Sequence, residues 1–154
     1  MALYLPFSEK FTEALRAVTR KDVEFAAMRS SPKGEFGIVD VEIGESNADN
    51  PCEAIRAFAL MVYWATESEE AICRGESDLA RELLMVAGQY HSLCEVIILT
   101  RARENGVLIP EGHSVGIAYI DKRFRAVHFT DPDEEEEKPA ATASPKESPK
   151  PTLQ

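Results

Sequence analysis

The stretch "AFALMVYWATESEEAICRGESDL", residues 57–79, decides the architecture. Its first nine residues carry no charged side chain, so a helix through them has no polar stripe and must be covered by neighbours or by a second copy of the molecule. Just upstream, Asn50, Pro51 and Glu53 offer an N-cap, a proline near the first helical position and a carboxylate that reaches back to the cap. That helix is expected to run to about Arg74. Gly75 then breaks the chain and Ser77 can cap a second helix.

Working outward, Leu79, Leu83, Val86, Tyr90, Cys94 and Ile97 recur at three-to-four spacing and predict one long helix over 78–104. Arg101, Arg103 and "ENG" suit its C-terminus, with cations at the negative end of the dipole and glycine just outside. Within it, "EVIILTR" is β-branched enough that 94–102 also reads as a strand. On the other side, Phe7, Phe11, Leu15 and Val18 mark one face of a short helix over 8–20, capped by Ser8. The Ser31-Pro32-Lys33-Gly34 cluster predicts a turn between strands at 23–29 and 35–43, the first of which also reads as a continuation of the N-terminal helix, while in the second Val39, Val41 and Ile43 alternate with Asp40 and Glu42. A second hairpin is expected from "SVGIAYI" (114–120) and "FRAVHFT" (124–130).

The expected class is therefore α+β: an antiparallel sheet of two hairpins packed on a long two-helix hairpin, plus a short N-terminal helix. Residues 1–130 make one globular domain. From residue 131 the composition changes to five of the nine prolines, seven acids, three bases and almost nothing apolar. Such a segment cannot offset the entropy of ordering, and 131–154 is expected to be a disordered acidic tail.

Composition narrows the function. The chain holds 27 Asp and Glu against 17 Lys and Arg, a formal charge of −10. That balance argues against a nucleic-acid partner, because a phosphate backbone needs a basic face to release counterions. Three cysteines, an odd number in apolar helical contexts, disfavour a disulfide framework and suggest a reducing compartment. The N-terminus lacks the pattern of a signal peptide, and the longest apolar run, 57–65, is short of a bilayer span, so the chain reads as cytoplasmic with no membrane partner.

Chemistry-bearing residues fall in three places. In "GQYHSLCEV" (88–96), His91, Cys94 and Glu95 share one or two helical turns, the spacing a thiol nucleophile with a base would need. Cys94 also lies on the apolar stripe, where a thiol is most simply a small core residue. Glu67 and Glu70 form one helical carboxylate pair that could hold a divalent ion with Glu82, but the next helix sets Met85 where a second acid is wanted. The remaining histidines, His113 and His128, could converge in space, yet no zinc or di-iron spacing appears. Lys122, Arg123 and Arg125 form the one concentrated basic patch, which Arg101 and Arg103 could join.

These features predict a small acidic interaction domain of adaptor, chaperone-like or regulatory type, without a cofactor. It would pair with a protein partner or a second copy through Phe58, Met61, Val62 and Trp64, with Arg123 and Arg125 meeting an acidic partner. The alternatives are a small-molecule hydrolase, divalent-metal dependent or not, and a ligand-binding sensor.

Overall fold

A computed structural model describes residues 9–30, 34–41, 43 and 48–130. Seven elements follow in order: α1 (Glu9–Arg16), α2 (Arg20–Arg29), β1 (Phe36–Ile38), α3 (Glu53–Cys73), α4 (Ser77–Glu104), β2 (Ser114–Ile120) and β3 (Arg123–Phe129). The class is α+β, with a three-stranded antiparallel sheet and a long helical hairpin. Ser8 and the segment 131–154, expected as a cap and a tail, lie outside the described residues, as does Glu42.

The hairpin forms as its sequence dictates. Gly75, at φ 79°, takes the left-handed conformation that lets its N–H reach the Ile72 carbonyl and the Glu76 N–H reach the Ala71 carbonyl, both at 2.9 Å. This double closure ends α3, and Gly106 ends α4 in the same way. The start of α3 differs from expectation: its N-cap is Cys52, two residues after Asn50, and the Cys52 side chain makes no capping hydrogen bond. Residues 94–102 are helical throughout. Cys94, Ile97 and Ile98 face the core together at helical spacing, and that burial outweighs their strand preference.

The expected strand at 23–29 is instead helix α2. Thr19 accepts a hydrogen bond from the Asp22 N–H, and the Asp22 carboxylate accepts one from the Thr19 N–H at 2.7 Å. This reciprocal cap starts a new helix after α1 ends at Arg16. Val23 and Ala26, three apart and buried, then bind α2 to α3. The sheet consequently has the order β1-β3-β2, and β1 pairs with β3, Gly37 facing His128. Beyond β1 the alternation read from the sequence persists: Val39 and Ile43 are buried and Val41 half-buried. The β2–β3 turn needs only Asp121 and Lys122, both left-handed, the conformation whose twist matches a hairpin.

The core gathers where α2, α3, α4 and the sheet meet. Ile55 and Ile98 are fully buried there, with Leu93, Val23 and Val115 at about 1% exposure. Each such side chain contributes roughly 1.5–3 kcal/mol relative to an exposed one. Farther out the hairpin closes on small residues, Ala71, Ala80 and Ala87, and Ser68 donates a buried 2.7 Å hydrogen bond to the Ala80 carbonyl. Among the described residues α4 is also the one helix long and apolar enough to cross a membrane, at 28 residues with an 18-residue stretch of mean hydropathy 1.4, a third of it buried inside the fold. Its Tyr90, Leu93, Cys94 and Ile98 are among the buried side chains.

Candidate functional site

Helix α4 places His91, Cys94 and Glu95 together in sequence but not in environment. Cys94 is 2% exposed within the core, whereas His91 and Glu95 are half-buried at its margin. Burial pushes the Cys94 thiol up to about 12, and the nearby Cys52 and Glu95 push in the same direction. A nucleophilic cysteine needs the opposite: an electropositive, partly open setting that favours the thiolate. Cys52, at the α3 N-cap, is also raised by burial, against the pull of the Ile55 and Ala54 N–H groups. Cys73 is exposed at the end of α3, and all three thiols are free. His91 and Glu95 make no hydrogen bond or ion pair with each other among the described residues.

The carboxylates are dispersed in the same way. Glu67 is half-buried and Glu70 and Glu82 are exposed. Glu69, between them, is drawn to Arg29 of α2 at 2.6 Å, and Glu76 to Arg74 at 2.6 Å. No group of three His, Cys, Asp or Glu side chains able to hold a metal occurs among the described residues.

The fold does join two histidines that lie fifteen residues apart. His113, just before β2, and His128 on β3 stand diagonally on one sheet face with their Nδ1 atoms 2.8 Å apart. At that distance one imidazole donates its N–H and the other accepts. Gly37 opposite makes room for the ring: a Cβ there would collide with the His128 imidazole. No carboxylate completes the pair among the described residues.

Lys122 and Arg123 are exposed at the β2–β3 turn and Arg125 is half-buried on β3, while Arg101 and Arg103 are exposed in the last turn of α4.

The belt of α3 is covered mainly by the chain itself. Phe58 and Val62 belong to the core, and Phe58 meets Phe124 of β3 edge-on at 6.0 Å. Met61 and Trp64 are half-buried, and Tyr63, edge-on to Trp64 at 4.9 Å, is 40% exposed. The apolar side chains left outside lie farther along the hairpin and on α4. Ile72 is 62% exposed, Leu84 59% and Met85 65%, with Leu79, Val96 and Leu99 between 36% and 39%. Sequence reasoning placed the docking surface on α3. The signal it passed over is the second stripe of α4, where Met85, Val96 and Leu99 follow helical spacing on the side opposite Tyr90 and Cys94.

Among the described residues two concavities stand near these elements. One, about 320 Å³, lies beside the C-terminal turn of α4 and is walled by Leu99, Ala102, Arg103 and the 106–109 segment. The other, about 190 Å³ between α2 and the β2–β3 turn, is smaller than the roughly 300 Å³ at which small-molecule sites begin. No family model, characterised protein or solved structure matches this chain.

Proposed function

We propose that this chain is a small acidic protein-interaction module, of adaptor or regulatory type, that docks through the outer side of its helical hairpin. One observation carries the reading: Ile72, Leu84 and Met85 stand 59–65% exposed along the outer part of the hairpin, although the inner part of the same helices is tightly filled. Isolated exposed apolar residues are ordinary, but several large ones on one protruding element mark a contact surface. The acidity, at a formal charge of −10, favours a protein over a nucleic acid as the partner. The role once expected of Phe58 and Val62 passes to α4, since those two side chains support the core from within.

The test is a photo-reactive residue at Met85 of the full chain in its native cell, with the same residue at Lys21 as control. A protein adduct at Met85 and none at Lys21 is expected. Adducts at neither position would refute the reading. A hydrolase or ligand sensor draws on a single feature, the His113–His128 pair, which lacks a carboxylate partner among the described residues and lines neither concavity.

A further inference from the structure

Resting on the interaction reading, we propose that the partner is a second copy of this chain, packed antiparallel along the outer face of α4 about a two-fold axis beside residues 90 and 91. On that face Met85, Gly88, Ser92, Val96 and Leu99 follow one another at spacings of three and four, with Asp78 at one end and Arg103 at the other. The row of 26 residues is about 39 Å long, enough for an extended helix–helix contact.

The charges at its ends choose both occupant and direction. A parallel pairing sets Asp78 on Asp78 and Arg103 on Arg103. The antiparallel one sets Asp78 of each copy opposite Arg103 of the other, twice by symmetry, and brings Met85 over Val96. Within one chain Asp78 meets only Arg81, at 3.6 Å with side chains 99% and 74% exposed, and Arg103 makes no ion pair among the described residues. Arg103 is therefore free to engage across the axis, and the long, solvent-exposed contact with Arg81 leaves the second carboxylate oxygen of Asp78 to meet it.

Shape agrees with charge. The concavity of about 320 Å³ beside Leu99 and Arg103 flanks the row on the side where Leu84 projects, and its wall includes Leu108 at 91% exposure. Two-fold symmetry keeps that flank on the same side in both copies, so Leu84 of each chain lies over the concavity of the other. Gly88 fits the same arrangement. It sits in mid-helix, where glycine is less favourable than alanine, and no side chain or neighbouring element among the described residues comes within 4 Å of where a Cβ would stand. A helix crossing there uses the missing side chain.

Sedimentation equilibrium of the full chain over about 1 µM to 1 mM tests this, with charge exchange as the discriminating arm. The wild type is expected at twice its 17.1 kDa. Asp78→Arg or Arg103→Asp alone should weaken pairing at least about tenfold, because each puts like charges opposite at both ends. The double exchange should restore it to within about threefold, since opposite charges face again. Gly88→Ala should raise the melting temperature of the helix yet weaken the dimer, opposed signs that separate folding from pairing. A wild type that stays at 17.1 kDa throughout, or a double exchange as weak as either single one, overturns the proposal. If the monomer still forms an adduct at Met85 with another protein, only self-pairing falls. With no adduct the interaction reading falls too, and co-sedimentation with phosphatidylcholine vesicles would assign the face to lipid.

Discussion

The two halves of the α3–α4 hairpin are continuous helices of similar composition, yet they are built on different principles. Near the sheet, Ile55, Phe58, Leu93 and Ile98 interlock with α2 and the strands and are almost wholly buried. Toward Gly75 the two helices have each other as their main partner and approach through Ala71, Ala80 and Ala87, while Ile72, Leu84 and Met85 point outward. The difference teaches that a two-helix layer can bury only one stripe of each helix. A second apolar stripe needs a third element, and the fold supplies that element at one end only.

Substitution at the two ends should expose the contrast most strongly. Ile98→Ala, at a fully buried site, is expected to cost about 2–5 kcal/mol in urea unfolding, because the surrounding elements cannot collapse into the cavity. A loss under about 1 kcal/mol would mean that the inner half is not the rigid part.

The thiols report the same gradient. At pH 8 the exposed Cys73 should react promptly with a disulfide reagent, while Cys94 should stay protected until the chain unfolds. Cys94 also shapes alkaline stability. Its thiol is raised from 9.0 to about 12, so the folded form keeps a proton that the unfolded form releases. Stability from this group is therefore complete below pH 9 and falls by about 1.4 kcal/mol per pH unit from there toward pH 12. Cys94→Ala should flatten that decline relative to the wild type, and an unchanged slope would show that the thiol is not held in the core.

The smallest effect is expected at the far end. Ile72→Ala, at a site 62% exposed, should shift unfolding by no more than about 0.5 kcal/mol. A larger loss would mean that something covers this end of the hairpin in solution, and would draw the two halves together.

Which features could be read in advance follows from how far each signal reaches along the chain. The break at Gly75, the strands expected at 114–120 and 124–130 and the core place of Cys94 all rest on patterns within one or two turns of sequence; the structure bears them out, with the last strand one residue earlier, at 123–129. The helix at 20–29 reads as a strand from Val23 and Phe25 ahead of the Ser31–Gly34 cluster, although Glu24, Ala26, Ala27 and Met28 favour a helix and the Thr19–Asp22 cap is equally local. The candidate sites were less legible. His113 and His128 meet only because β2 and β3 pair in one register.

By itself the amino-acid order determined where the long hairpin turns at Gly75, which side chains are apolar, and that the residues around Trp64 require cover. Tertiary structure alone decided what supplies that cover: α2, α4 and β3 fill the space around Phe58 and Val62, and the outer stripe of α4 is the one left bare. Periodicity fixes which residues share a face, because it is a property of one helix. Whether a face is covered depends on which elements can reach it, and that is settled only when the whole chain packs.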